Sequence, residues 1–577
     1  MKKQTKLVAV TSAAALLAIG ASMTSFAATG WTEEDGVWYY YDNDGVRVTD
    51  DWKKSGDNWY WMDGEEDGAM ATDKLIEDDD DTYYVDSTGV MVKNTWVKVV
   101  NEDQDDDEDP AEYHYYYMQS NGKAYKGGDS TLKKKVIDGK TYAFDEDGVM
   151  LYGWTDGTGE RLTGDTGWSE PGDDEYVYYF GSWEDGSMKT GWQKITVYDE
   201  SEGKEDDYDY WFNFKSNGRL RRDDDEWKSN GRYYRFDIRG VMTYQWALAS
   251  GSEVASTANW SYFNSPEDGA RVTKGWFKVV APNEDNSFLG EGVEGTFTAE
   301  KGDADEENER WYYANGDGEI ASGEIKKIKG KYYGFYPEGE KKAGAMMTGL
   351  CALVVDDTTG IITDVLGYDM DSDDLDDCMD LKGDYKDMEA LGASLYYFGN
   401  DADSDGVMKT GNVTISLDGD NYNFMFSKTG GAEGKGRGVT GTDDDKYVYR
   451  FGKRLKADSD EKYIVVRSTG DISDENVTVE EMDSKDLRAA YKEAGYNKDG
   501  ELVKFVGFPN FSWDESYKLI NSSGSIQKNK SAAKDGDDWY FYVDDYKIYM
   551  YTNTKVLKGD KDHVMDIDLD SWKDWTK

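Results

Sequence analysis

The chain has 577 residues and carries 119 Asp and Glu against 66 Lys and Arg, so its formal net charge is −53. That charge argues against a protein that coats DNA or RNA, because phosphate binding needs a basic face. The 44 Tyr and 20 Trp argue against a disordered acidic chain, and 63 Gly with only 6 Pro argue against collagen.

Residues 1–27 have the pattern of a signal peptide. Lys2, Lys3 and Lys6 give a positive start, residues 7–20 are apolar, and residues 25–27 offer a small-x-small cleavage pattern. A membrane anchor is the alternative, which the short apolar core disfavours. No later segment approaches the length of a membrane span. We therefore expect an exported protein with no transmembrane segment after removal of the signal.

Residues 28–460 read as an array of repeats. In the first two copies, Trp31 corresponds to Trp52 and Trp38 corresponds to Trp59, both 21 residues apart. Each copy has an aromatic run typical of a strand, and Asp-Gly or Asn-Gly beside it favours a tight hairpin turn. A hairpin of about 20 residues is marginal alone and buries its aromatic face by stacking on the next. This pattern predicts an all-β protein, a β-solenoid of stacked short β-hairpin repeats with acidic loop insertions.

The repeated sequence pattern can no longer be followed beyond about residue 460, so 461–577 is predicted to be a divergent C-terminal region. It contains degenerate repeats and a possible short helix over 483–494. Cys351 and Cys378 could form one disulfide or stay as two free thiols, and the sequence leaves both open. No His or further Cys completes a zinc site beside them, and the acidic segment 401–406 lacks the glutamate of a calcium loop. We predict no metal and no cofactor.

The repeated phrase is Gly-Trp, an aromatic run such as Trp38-Tyr39-Tyr40, a Gly-x-Met, and then Thr-Gly-Trp. It resembles the choline-binding or cell-wall-binding repeat of Gram-positive surface proteins, to which glucan-binding repeats are related. The resemblance covers most of 30–455. It implies a left-handed solenoid of hairpins with ligand pockets between consecutive hairpins.

The resemblance also implies which residues form the pockets. Each takes the leading Trp and the first aromatic of the run from one repeat and a Tyr from the next, often with a Met beside it. The six predicted aromatic cages are Trp31, Trp38 and Tyr60; Trp52, Trp59 and Tyr83; Trp96, Tyr115 and Tyr142; Trp192, Trp211 and Tyr234; Trp246, Trp260 and Tyr312; and Trp276, Trp311 and Tyr333. Where Leu75, Thr82, Thr141 or Val177 replaces an aromatic residue, we expect no pocket. Packing alone is the alternative role for these rings.

A quaternary ammonium has no N–H donor, so aromatic faces are its favourable partners. Neutral sugars stack on the same rings, so the residues serve either ligand. The negative charge attracts a cation and repels an unsubstituted acidic polymer. The expected partner is therefore choline-substituted teichoic acid or a neutral cell-wall or extracellular glycan.

No separate catalytic domain is visible. The chain has no Cys–His pairing, zinc motif, Gly-x-Ser-x-Gly elbow or P-loop, although a glycosidase carboxylate pair cannot be selected among so many acids. We expect a non-catalytic, secreted protein held non-covalently at the cell wall. The alternatives are a lytic enzyme, a glucan-binding protein, and an adhesin or structural surface protein whose repeats act as a spacer.

Overall fold

The structure is a computed structural model. It describes residues 29–555 apart from 105–108, 129, 166, 170–175, 201–204, 249–259, 283–308, 339–341, 357, 400–404, 430–433, 475, 498 and 508–509. The predicted signal peptide lies outside the described residues. The chain divides into two compact units, of which unit 1 comprises Met1–Tyr244 and Ser265–Ala270 and unit 2 comprises Gln245–Asn264 and Arg271–Lys577.

Unit 1 consists of short antiparallel hairpins. Strands β1 to β5 form one five-stranded sheet in the order β1-β2-β5-β4-β3, and the later strands pair two by two. The strands are β1 Gly30–Glu34, β2 Val37–Tyr41, β3 Asp51–Ser55, β4 Asn58–Asp63, β5 Ala69–Met70, β6 Lys74–Asp78, β7 Asp81–Val85, β8 Thr95–Val100, β9 Tyr113–Met118, β10 Lys134–Ile137, β11 Lys140–Ala143, β12 Trp154–Thr155, β13 Tyr178–Tyr179, β14 Gly191–Asp199, β15 Asp206–Phe214, β16 Asp224–Ser229 and β17 Arg232–Phe236.

Several turns that follow a hairpin are built by one acidic or amide side chain. Asp145 accepts hydrogen bonds from the backbone N–H of Asp147 at 3.0 Å and of Val149 at 2.7 Å. The intervening Gly148 has a φ of 89°, which favours glycine. Asp42 and Asp86 accept the same pair of bonds in earlier turns. In these turns the recurring Asp-x-x-Gly of the sequence folds the chain back after the aromatic run.

Consecutive hairpins are joined by a backbone hydrogen bond and a glycine–methionine contact. The N–H of Met188 donates to the carbonyl of Thr141 at 2.8 Å, and that of Met242 donates to Trp211 at 2.9 Å. The Met188 side chain then lies against Gly218 of the next turn, where an added Cβ would meet the sulfur at 2.2 Å. The same contact recurs in unit 1 at further pairs. They are Met70 with Gly89, Met91 with Gly122, Met150 with Gly186, and Met242 with Gly269.

Unit 2 continues the hairpins and, in the part that the structure describes, adds three helices. Its helices are α1 Ser372–Asp380, α2 Met388–Leu391 and α3 Ser484–Ala489, with a 3₁₀ turn at Gly383–Tyr385. Its strands are β18 Trp246–Leu248, β19 Trp260–Tyr262, β20 Gly275–Val280, β21 Glu309–Ala314, β22 Ile325–Ile328, β23 Lys331–Gly334, β24 Leu350–Val355, β25 Ile362–Gly367, β26 Ser394–Tyr397, β27 Gly411–Leu417, β28 Asp420–Phe426, β29 Gly441–Asp443, β30 Tyr447–Arg450, β31 Lys453–Arg454, β32 Tyr463–Ser468, β33 Val479–Met482, β34 Lys492–Tyr496, β35 Leu502–Val506, β36 Tyr517–Asn521, β37 Lys530–Lys534, β38 Tyr540–Asp544 and β39 Lys547–Thr552.

The core of unit 2 is larger than the small clusters between the hairpins of unit 1. Strand β24 is almost entirely buried, and helix α1 packs Leu375 and Cys378 against it. The sequence analysis predicted neither α1 nor α2, because it relied on the repeated aromatic runs and Gly turns, and these are interrupted over both helices. The helix predicted over 483–494 is present but covers only α3, and the chain then enters β34.

Cys351 and Cys378 are both free thiols and both buried. The Cys378 Sγ lies 3.1 Å from the Met388 Sδ, and the Cys351 Sγ contacts the carbonyl of Thr348 at 3.4 Å. Burial raises the pKa of each thiol to about 12. Of the two alternatives left open by the sequence, the structure therefore shows the free pair. The predicted all-β fold of antiparallel hairpins is confirmed, while the solenoid stacking stays a prediction.

Candidate aromatic binding sites

The leading Trp of a repeat meets a Tyr of the following hairpin in all six predicted sets. The two rings lie edge to face and form what we call an aromatic corner. The centroid distances are 5.2 Å for Trp31 and Tyr60, 5.0 Å for Trp52 and Tyr83, 4.9 Å for Trp96 and Tyr142, 5.1 Å for Trp192 and Tyr234, 5.1 Å for Trp246 and Tyr312, and 4.8 Å for Trp276 and Tyr333.

Strand register explains why the corner recurs. In the first hairpin Trp31 pairs with Tyr40 and Glu33 pairs with Trp38, so these four side chains share one face. In the second hairpin Tyr60 pairs with Lys53 and projects from the face opposite to that of Trp52 and Trp59. One face of a hairpin thus supplies the leading Trp, and the other face of the next hairpin supplies the Tyr.

The third predicted member of each cage is placed less uniformly. Trp211 lies 6.3 Å from Trp192, Trp260 lies 6.2 Å from Trp246, and Trp311 lies 6.4 Å from Trp276, all edge to face. Trp38, Trp59 and Tyr115 share the face of their leading Trp by register, although no ring contact joins them to it. In the Trp31, Trp52 and Trp96 sets the described residues therefore form a two-ring corner, with the third ring on the same face but not in contact with the leading Trp.

Burial separates one set from the others. Trp246, Trp260 and Tyr312 are each 0% exposed and belong to the largest apolar cluster of unit 2. Their rings meet as predicted, but they have no exposed face for a ligand, and we assign them to packing. The rings of the other five sets are partly exposed, with Trp59 the most open at 36%.

Other tryptophans that the sequence analysis did not assign to a cage pack on leading tryptophans of unit 1. Trp227 packs on Trp192 at 5.5 Å and on Tyr234 at 5.9 Å, which adds a further ring to that corner. Trp168 packs on Trp154 at 6.4 Å and is buried with it. Val177, which replaces an aromatic residue in that repeat, is itself buried. The Trp227 signal was present in the sequence, since this residue precedes an Asn-Gly turn as a leading Trp does.

Charge around the corners is carried by neighbouring side chains. Burial raises the pKa of Tyr83, Tyr115, Tyr142 and Tyr333, so these phenols stay neutral at physiological pH. Lysines of the same hairpins lie near several corners, and the Lys54 Nζ is 5.8 Å from the centre of the Trp59 ring. Within the described ranges, no group of three acidic, His or Cys residues is arranged to hold a metal ion. Among the described residues no helix is long and apolar enough to cross a membrane.

Unit 2 also contains a cavity of about 480 Å³ next to α3. Its lining combines apolar residues such as Leu455 and Phe541 with Glu461, Glu481 and Arg450. Burial raises the pKa of Glu481 to about 7. The cavity contains no aromatic corner and is separate from the repeated sites.

Comparison with solved structures finds choline-binding proteins at low similarity. Choline-binding protein F from Streptococcus pneumoniae is 18% identical, with 59% of this chain and all of that chain covered and a TM-score of 0.30. The choline-binding domain of CbpL from the same organism is 22% identical over 43% of this chain and all of that chain, with a TM-score of 0.25.

A further match is the modular autolysin LytC from S. pneumoniae, solved with a synthetic peptidoglycan ligand, at 16% identity and a TM-score of 0.28. The match covers 56% of this chain and 55% of LytC. No protein-family model and no curated protein matches the chain. Because the TM-scores are low, we infer the function from the geometry of the aromatic corners.

Proposed function

We propose that this chain is a non-catalytic, exported protein that binds the quaternary ammonium groups of a choline-bearing cell-wall polymer at its aromatic corners. The observation that carries the proposal is the repeated edge-to-face pair of leading Trp and following Tyr, at 4.8 to 5.2 Å in five partly exposed corners. The choline-binding proteins among its structural neighbours are consistent with this ligand.

The chemistry of a corner suits a cation without N–H donors. Each aromatic face contributes about 0.5 to 2 kcal/mol to holding such a cation, and the ordering of ligand and side chains offsets part of it. A corner of two or three rings is therefore expected to bind free choline at about millimolar strength. The net charge of −53 adds a long-range attraction for cations.

A neutral glycan is the second candidate, and one corner favours it. Trp96 and Tyr142 lie beside Lys98 and Lys135, which pair by register with Tyr115 and Tyr142. Two ammonium groups disfavour a cationic ligand there, whereas sugar hydroxyls accept hydrogen bonds from lysine. The glycan hypothesis thus predicts that this corner responds to sugars.

The test is a titration of intrinsic tryptophan fluorescence of the full chain with choline, and in parallel with glucose and maltooligosaccharides. We expect a saturable change at millimolar choline that falls in Trp31→Ala and in Trp192→Ala. Trp183→Ala is the matched control, because Trp183 is partly exposed and contacts Tyr113 outside any corner. A response to the glycans alone would favour carbohydrate binding, and no response to any ligand would favour the spacer or adhesin role.

A further inference from the structure

The residue two positions after each leading Trp faces the second aromatic of the same hairpin. In four partly exposed corners this residue is a lysine. The cross-strand pairs are Lys54 with Trp59, Lys98 with Tyr115, Lys194 with Trp211, and Lys278 with Trp311. Directly opposed side chains have Cβ atoms about 4.5 to 5.5 Å apart. An ammonium at this position repels a cationic ligand on the neighbouring ring.

The ammonium groups of Lys54 and Lys98 lie over aromatic rings. The Lys54 Nζ lies 5.8 Å from the Trp59 ring centre, and the Lys98 Nζ lies 3.3 Å from that of Tyr113. Neither lysine has a carboxylate within ion-pair distance in the part of the chain that the structure describes. At the Trp52 corner the chain's own cation therefore lies near a ring of the corner, whereas Lys98 lies over Tyr113, which is outside the corner but on the same strand face as Tyr115.

The charge of Lys194, by contrast, is neutralised by nearby carboxylates. Its Nζ lies 2.9 Å from the Glu267 Oε1 and 3.4 Å from the Asp209 Oδ2. The other oxygen of Glu267 accepts a hydrogen bond from the Trp211 Nε1 at 3.1 Å. Glu267 thus contacts both the lysine and a ring of the corner, and the sum of the three charges there is −1 rather than +1.

The carboxylate is available to act on a ligand. The Glu267 side chain is 65% exposed, so its oxygens face solvent as well as Lys194. The hydrogen bond from Lys194 is the largest cause that lowers the pKa of Glu267, which keeps the group ionised at neutral pH. Trp192, Trp211, Trp227 and Tyr234 provide the rings beside it.

Resting on the function proposed above, we propose that Glu267 is the specificity-determining residue of the Trp192 corner. It neutralises Lys194 and makes this corner selective for a quaternary ammonium over a neutral ligand of the same shape. Among the described residues no carboxylate pairs with Lys98, so the Trp96 corner binds the cation more weakly. At the Trp52 corner Asp78 accepts a hydrogen bond from the Trp52 Nε1 at 3.1 Å but does not pair with Lys54, so this corner is intermediate. The corners therefore differ in their affinity for a quaternary ammonium, and the net charge at the cross-strand lysine position determines which corner binds it more tightly.

The experiment compares two isosteric probes on the full chain labelled with 5-fluorotryptophan. Choline carries the charge, and 3,3-dimethylbutan-1-ol is its neutral carbon analogue. Fluorine NMR follows the Trp211 resonance, assigned with Trp211→Phe. We expect Glu267→Gln to raise the Kd for choline about 3- to 10-fold and to leave the Kd for the alcohol within about 2-fold, and the choline effect to shrink at high salt.

A second variant tests the same rule in the opposite direction. Lys98→Gln should lower the choline Kd at the Trp96 corner by a similar factor, followed at the Trp96 resonance. Equal weakening of both probes by Glu267→Gln would show that this residue only positions Trp211, and an unchanged choline Kd would show no role; either result overturns the inference. If neither probe shifts any resonance of the parent chain, the proposed function itself fails, which is a different outcome from loss of selectivity.

Discussion

A single carboxylate in a turn shows how local burial sets a group's ionisation. Asp145 organises its turn through two backbone N–H donors, yet it lies close to the packed face of its hairpin. Burial outweighs these bonds and raises the pKa of Asp145 to about 6. The folded state therefore holds a proton on this group more strongly than the unfolded chain does. The stability that this gives is present below the ordinary pKa of 3.8 and is lost as the pH rises through about 6.

Asp145→Asn should remove this loss at neutral pH. The amide oxygen can accept the same two bonds, as Asn315 does in the corresponding turn of unit 2. At pH 7.5 we expect the hydrogen-exchange protection of the Val149 amide to rise about 5-fold, equivalent to ~1 kcal/mol, and to be unchanged near pH 4. Asp86→Asn, at another such turn, controls for the loss of one negative charge. Equal gains at pH 4 and pH 7.5 would contradict the assignment.

At the scale of the element, the junction between hairpins depends on a glycine that serves two purposes. Gly218 has a φ of 85°, and its missing Cβ leaves room for the Met188 thioether. Gly231, in the hairpin turn between β16 and β17, has a φ of 81° but nothing within 4 Å of an added Cβ. The two glycines therefore share the backbone requirement and differ in the packing requirement.

Gly218→Ala should consequently destabilise unit 1 more than Gly231→Ala. The left-handed backbone costs an alanine about 1 to 2 kcal/mol at either position, and displacing Met188 adds about 1 to 3 kcal/mol at Gly218 alone. Thermal unfolding of the two variants measures the difference. In a Met188→Ala background the difference should largely disappear, and its persistence would show that the contact with Met188 is not its cause.

The sequence predicted the elements that are marked by local patterns of aromatic and turn residues. Aromatic runs and Asp-x-x-Gly turns are local signals, so the hairpins could be foreseen from them. The pairing of each leading Trp with a later Tyr was implied only by the resemblance to the choline-binding repeat. Burial of Trp246 could not be foreseen, because its ring packs on Phe277 and Tyr312 of the next hairpin, which are 31 and 66 residues away in the sequence. The partnership of Glu267 with Lys194 was equally hidden, since 73 residues separate them. Whether the rings bind a ligand remains a prediction.

For the whole molecule, five weak corners on one chain imply binding by avidity. A polymer that repeats its ligand engages further corners at an effective concentration of about millimolar, comparable with the Kd expected of each corner. The whole chain is therefore expected to hold the polymer much more tightly than any corner holds free choline.

Trp31→Ala and Trp276→Ala should separate the binding of free choline at single corners from the retention of the whole chain on a polymer. Each change is expected to remove about one equivalent of bound free choline while leaving the Kd of the remaining corners unchanged. Retention on an immobilised choline polymer should fall about 2- to 10-fold with each change, and the losses should multiply in the double variant. Calorimetry and column elution with free choline measure the two effects. Retention that is unaffected in the double variant would show that the corners do not act together.

The backbone bond and the glycine–methionine contact between hairpins also bear on how such a chain changes in length. Many hairpins offer their successor the same carbonyl acceptor and the same thioether, as Thr141 and Met188 do, although Ala124 and Leu220 replace the methionine against Gly148 and Gly240. A duplicated gene segment that spans one whole hairpin and its turn would therefore find matching contacts at both ends. A duplication of any other length would not align these contacts. Unequal recombination can accordingly lengthen or shorten the array in whole repeats, and each new repeat that retains the leading Trp and the Tyr brings one more corner.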